Sequence, residues 1–166
     1  MTMDLFLDTE FTSLKAPRLI SLALVAESGE HIYVEVDDWW APTKFVRHAV
    51  LPLLTGPRLT RAEAGRAVRS FLEACGPSHI WTDSPIYDGP LLRDLVGDAP
   101  SYVLKTLGAN SVKPGVYEVM DLHRYQQALE AEFAKGTLRR HHALDDAKAS
   151  CAAWQATKHT IKRHKL

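Results

Sequence analysis

Apolar residues open the chain in two short continuous runs, Leu5-Phe6-Leu7 and Leu19 to Val25, of the kind a buried strand carries. After the turn signal Ser28-Gly29, His31 to Val36 alternates apolar and polar side chains, as a strand with one covered face does. Three strands on short links predict a meander. From Thr60 the period becomes helical: Thr60 and Glu63 have the spacing of a capping box, Val68, Phe71, Leu72 and Cys75 recur on one face, and Gly76 ends the run. A short strand at His79 to Trp81 follows, then the turn Asp83-Ser84-Pro85, a helix ending near Gly97, a loop, and a strand at Val116 to Met120. Asp121 is placed to cap a helix running to Phe133, and a last helix is predicted from Ala143 to about His159. Thr55-Gly56-Pro57 and Lys113-Pro114-Gly115 read as loops. This order predicts an α/β fold in which a mixed β-sheet is flanked by helices.

Length and composition narrow the picture without naming a chemistry. A chain of 166 residues suffices for one well-formed core, so residues 1–166 are read as a single domain. No apolar run approaches the roughly 20 residues that span a bilayer, and the start lacks a secretory pattern. A cytoplasmic protein with no membrane partner is expected. The two cysteines, Cys75 and Cys151, lie in apolar helical patterns outside any CxxC pair and read as core residues rather than a disulfide or zinc knuckle. Twenty Lys and Arg balance twenty Asp and Glu, so net charge does not announce a nucleic-acid binder, although basic residues group at Arg139-Arg140-His141-His142 and from Lys158 to Lys165.

Four carboxylates carry the chemical argument. Residues two apart on an extended chain point the same way, so Asp8 and Glu10 converge at the end of the first strand. Two such groups repel one another, and a divalent cation relieves the repulsion; a turn cap at Asp8 and a solvated Glu10 would fit the same letters. Asp88 stands near a helix start, where capping the helix is the plainer role. In His141-His142-Ala143-Leu144-Asp145-Asp146, a helical wheel sets Asp146 beside the stripe of Ala143, Ala147, Cys151 and Trp154, and Asp145 nearly opposite, in solvent and near Lys148. A histidine in a basic run at a helix start, such as His141, is more often a solvated residue or a phosphate contact.

Together, a strand ending Phe6-Leu7-Asp8-Thr9-Glu10, a middle Tyr87-Asp88 and His141-x-Ala143-x-x-Asp146 resemble the three motifs of the DEDDh 3′-5′ exonucleases, a family with a ribonuclease-H-like fold. Within that family the chain is similar to the small bacterial exoribonucleases of the RNase AS type, through Leu19 to Val25, Phe45 to Pro52 and the Trp81 strand. Many relatives carry Asn and Phe where this chain has Ser84-Pro85 and Tyr87. The resemblance implies that Asp8, Glu10, Asp88 and Asp146 hold two divalent ions, Mg²⁺ or Mn²⁺, with His141 as general base toward the attacking water, releasing nucleoside 5′-monophosphates from single-stranded RNA 3′ ends. Hard cations take oxygen ligands, which suits a carboxylate set.

Thr9, Phe11, Leu14, Tyr87, Arg139 and Arg140 are the expected substrate contacts. Several relatives place an apolar wedge where Leu14 stands, and a loop residue folded onto the core is the alternative there. Lys158, Lys162, Arg163 and Lys165 read as a solvated terminal helix. The adjacent Trp39-Trp40 fits three roles: packing under its loop, stacking on a base, or meeting a second subunit, since close relatives commonly form homodimers. RNA is the expected substrate over DNA. The competing readings are a 3′-5′ DNA exonuclease, a non-catalytic nucleic-acid-binding module on the same fold, and a phosphatase with Asp8 as nucleophile.

Overall fold

The structure, a computed structural model, describes residues 2–97, 101–114 and 116–165. The three expected strands form as β1 (Met3–Phe11), β2 (Leu19–Ala26) and β3 (His31–Val36), paired antiparallel in sequence order. A short helix α1 (Lys44–Ala49) and a 3-10 turn (Leu51–Leu53) lead to a two-residue strand β4 (Arg58–Leu59). Helix α2 (Arg61–Cys75) starts from the Thr60–Glu63 capping box, with both reciprocal hydrogen bonds made. Strand β5 (Ser78–Thr82), helix α3 (Pro85–Val96) and strand β6 (Tyr102–Thr106) follow, with β1, β5 and β6 parallel. The main sheet has the order β4-β3-β2-β1-β5-β6.

A second, antiparallel sheet is built from β7 (Ala109–Lys113), β8 (Val116–Val119) and β9 (Lys162–Lys165). Between β8 and β9 the chain forms α4 (Leu122–Ala134), capped by Asp121, and α5 (Ala143–Thr157), which ends in a 3-10 turn (Lys158–Thr160). Three expectations change. Residues 102–106 and 109–113 are strands and not loop, and α1 adds a helix. The basic tail is a strand on β8 rather than the end of a helix, because backbone pairing with β8 decides its conformation where its side chains offer no apolar face. Of the predicted loop Lys113-Pro114-Gly115, Gly115 lies outside the described residues.

Strand alternation sorts the core into two halves and aims the site. Leu5 and Leu7 of β1 pack with Leu22 and Leu24 of β2 against Val68 and Leu72 of α2 and Leu92 and Val96 of α3. Phe6, between them, faces the other way with Ala23 and Val25, against Ala147, Cys151 and Trp154 of α5. Asp8 and Glu10 share the parity of Phe6 and so point toward α5. The α2–α3 contact is close: a Cβ on Gly65 would lie 2.4 Å from the Leu95 carbonyl oxygen, so this position admits glycine alone. No helix among the described residues is long and apolar enough to cross a membrane.

Candidate active site

The C-terminal end of β1 and the first turn of α5 meet in a cleft of about 250 Å³ lined by Asp8, Glu10, Asp83, Ser84, Arg140, His141 and Asp146 among others. Carboxylate oxygens of Asp8, Glu10 and Asp146 lie within 4.8 Å of one another, each residue half-buried. Burial, with the charges of Asp146, Asp88 and Glu10, raises the Asp8 carboxyl well above its ordinary range. Burial and the charges of Asp146 and Asp88 push Glu10 up to about 8. Asp146 is raised to about 7, mainly by burial, although backbone N–H groups of His141 and His142 favour its charged form. Three carboxylates that resist ionising together form a cluster short of positive charge, and an oxygen-seeking divalent cation fits that deficit.

Asp88, expected as a fourth ligand, is not one of the three clustered carboxylates, although it lies near enough for its charge to act on Asp8 and Glu10. It is 1% exposed, in the first turn of α3 but not at its cap, which is Ser84. Its oxygens accept hydrogen bonds from the hydroxyls of Thr9 and Thr82. Burial raises it to about 6, the two hydroxyls working against that rise. A carboxylate oxygen accepts more than one bond, so these contacts leave lone pairs for a cation. Thr9 therefore faces Asp88 and is itself buried.

His141 and His142 have separate surroundings. His141 forms part of the cleft wall, with its ring edge-on to Phe45 at 5.1 Å. Its backbone has φ of 64°, the left-handed region that costs a non-glycine residue about 1 kcal/mol, and its N–H donates to Asp146 Oδ2 at 2.8 Å. That bond ties the histidine to the metal-ligand candidate through backbone. His142 is 2% exposed, caps α5 by position and packs on Tyr33 at 4.9 Å; burial and the nearby Arg139 hold its imidazole below the ordinary range.

Asp145 corrects its expected solvent position. It is 7% exposed and accepts from the Arg139 backbone N–H at 3.1 Å and from Arg139 Nε at 2.7 Å. Burial opposes its ionisation, but the Arg139 bonds and His142 outweigh it and lower the carboxyl. The wheel misses this because residues 139–142 fold back over the first turn of α5. Arg139 is thereby engaged with Asp145, whereas Arg140 reaches the cleft with its guanidinium paired to Glu130 and lying 4.1 Å over Phe133.

A second, apolar groove of about 600 Å³ adjoins the cleft, sharing Glu10 and lined by Phe11, Leu14, Lys15, Thr43 and Phe45. Leu14 is 68% exposed and Phe45 58% exposed. Tyr87 stacks on Phe11 at 5.1 Å. Phe45 and Asp83 are site residues that the sequence reading left without a role. Asp83 follows β5, which runs parallel to β1, so their C-terminal ends share one edge of the sheet.

No family model matches the sequence, and no curated protein matches it. Among solved structures, E. coli Exonuclease I, in complex with a 5cy-dA13 oligonucleotide, superimposes with a TM-score of 0.58 at 15% sequence identity, over 95% of this chain. The chain has a ribonuclease-H-like α/β fold. It spans 41% of the length of that exonuclease chain.

Proposed function

We propose that this domain is a metal-dependent 3′-5′ exonuclease that removes nucleoside 5′-monophosphates from single-stranded RNA ends. The observation that carries the reading is the convergence of Asp8, Glu10 and Asp146 within 4.8 Å, with His141 on the same cleft wall. The three motifs that resemble the DEDDh exonucleases supply these residues, and the fold shared with an exonuclease agrees with them. The resemblance of Leu19 to Val25, Phe45 to Pro52 and the Trp81 strand to RNase AS-type enzymes favours RNA.

Asp8, Glu10, Asp146 and Asp88 would hold two Mg²⁺ or Mn²⁺ ions. Bound there, the ions supply Lewis-acid stabilisation of charge on the scissile phosphate and on the attacking and leaving oxygens. His141 takes the proton of the attacking water, and its backbone bond to Asp146 keeps that base in register with the carboxylates. Arg140 at the cleft wall attracts the phosphate. The apolar groove, joined to the cleft at Glu10, takes the terminal base against Phe11, Leu14 and Phe45. Thr9 and Thr82 orient Asp88, and Tyr87 supports Phe11 by stacking on it.

DNA as substrate is the second reading, favoured because the exonuclease that shares the fold was solved with a 5cy-dA13 oligonucleotide. Both readings are tested by incubating the wild type and Asp146→Asn with 5′-labelled single-stranded RNA and matched DNA in Mg²⁺, Mn²⁺ or EDTA, and resolving products by length. A metal-dependent ladder that shortens from the 3′ end and vanishes in the variant is expected, with RNA shortened faster. Intact strands of both kinds under every condition would sink the proposal.

A further inference from the structure

Trp39 and Trp40 divide the roles open to them. Trp39 is half-buried and packs against the hydrophobic core, with the Arg58 guanidinium 5.2 Å from its ring. Trp40 is 57% exposed, and the Arg18 guanidinium carbon lies 3.3 Å from its ring centroid. Ala41, the next residue, has φ of 53°, a strained conformation for alanine that the surrounding loop imposes beside Trp40.

The two loops that make this pair also make the apolar groove. The loop after β1 contributes Leu14 and Lys15 to the groove and Arg18 to the pair; the loop after β3 contributes Trp40 to the pair and leads into Thr43 and Phe45 of the groove. They are pinned together. Thr12 N–H donates to the Arg18 carbonyl at 3.0 Å, Arg18 N–H donates to Thr12 Oγ1 at 3.2 Å, and Thr43 N–H donates to the Thr12 carbonyl at 3.1 Å. Both loops leave the same edge of the sheet as Asp8 and Glu10, because β1 and β3 are each antiparallel to β2. Among the described residues no carboxylate pairs with Arg18; Asp94, which lines the same depression, is paired with Arg61 at 2.8 Å.

We infer that Trp40 and Arg18 form a second nucleotide platform, on which the single strand leaving the terminal-base groove lays a base against the indole face turned away from Arg18 and a phosphate against the guanidinium. An exposed ring meets the face that every base offers, and an unpaired guanidinium meets the charge that every phosphate offers. A peptide or second protein surface lacks that alternation. The inference rests on the exonuclease reading for the direction in which the strand runs.

The test measures binding of a mononucleotide, a dinucleotide and a hexanucleotide to Asp146→Asn protein, alone and combined with Trp40→Ala, Trp40→Phe or Arg18→Gln. Trp40→Ala should weaken hexanucleotide binding about tenfold and mononucleotide binding less than about twofold, while Trp40→Phe retains most of the affinity. Arg18→Gln should reduce the salt dependence of hexanucleotide binding by about 0.7 in the log-log slope. Equal losses at all three lengths, or none, would overturn the platform. So would a wild-type dimer that Trp40→Ala dissociates in sedimentation without loss of hexanucleotide affinity, which would make Trp40 an interface between copies. Metal-dependent shortening by the wild type is followed in parallel. Its absence counts against the exonuclease reading, its presence with unchanged hexanucleotide binding counts against the platform alone, and a wild type that neither shortens nor binds removes both.

Discussion

Asp145 and Asp146 are neighbours in the chain and opposite in circumstance. Asp145 is buried, accepts two bonds from Arg139 and is held below its ordinary pKa. Asp146 is less buried, faces two other carboxylates and is raised to about 7. Glu35 extends the contrast: it is 2% exposed, yet Tyr33 Oη and the backbone N–H groups of Thr55 and Gly56 all donate to it. The fold therefore supplies donors to a carboxylate where the carboxylate is structural. At Asp8, Glu10 and Asp146 burial and neighbouring carboxylates outweigh the donors supplied and leave all three raised, a repulsion that a cation would relieve.

Substitutions that exchange these circumstances break the comparison most sharply. Asp146→Asn should lower metal-dependent hydrolysis at least a hundredfold while the fold persists, as checked by rate and by circular dichroism. Loss of the fold along with the rate would instead make Asp146 structural. His141→Ala should cost about 10²- to 10⁴-fold in the rate with metal affinity nearly retained, and a parallel loss of metal binding would contradict a role as base. Asp145→Ala should destabilise by roughly 2 kcal/mol in denaturant unfolding, because it strips the acceptor from the Arg139 bonds at a buried position. The smallest effect belongs to Lys148: Lys148→Ala should shift stability by less than about 0.5 kcal/mol, because the partner of Asp145 is Arg139.

Much of this was legible in sequence because its causes are local. The meander β1 to β3 follows from two buried runs and one alternating one, and the Thr60–Glu63 box and Asp121 cap form as their spacings predict. The strands β6 and β9 were not legible. Tyr102 to Thr106 is a half-exposed edge strand without alternation, and the cationic β9 owes its conformation to β8. In the site, alternation brings Asp8 and Glu10 to one face, but Asp83 reads as an ordinary turn until the parallel pairing of β1 and β5 sets their ends side by side. The burial of Asp145 depends on a loop that folds over its own helix, which a helical wheel does not contain. Phe45 belongs to a six-residue helix too short to announce itself, and its meeting with His141 spans almost a hundred residues of sequence.

The central claim, that the carboxylate cluster awaits a cation, is tested most directly by thermal unfolding of wild type and Glu10→Gln from pH 4 to 9, in EDTA and in Mn²⁺. A carboxyl whose folded pKa lies above its unfolded value contributes its stability fully below the unfolded pKa, near 4.5 for Glu10, and loses it as pH rises through the folded value of about 8. In EDTA the wild type should therefore lose stability between those limits relative to Glu10→Gln, falling behind by several kcal/mol at the alkaline end, and Mn²⁺ should reverse that order by stabilising the wild type more. Parallel pH profiles in EDTA, with no differential response to Mn²⁺, would contradict the account.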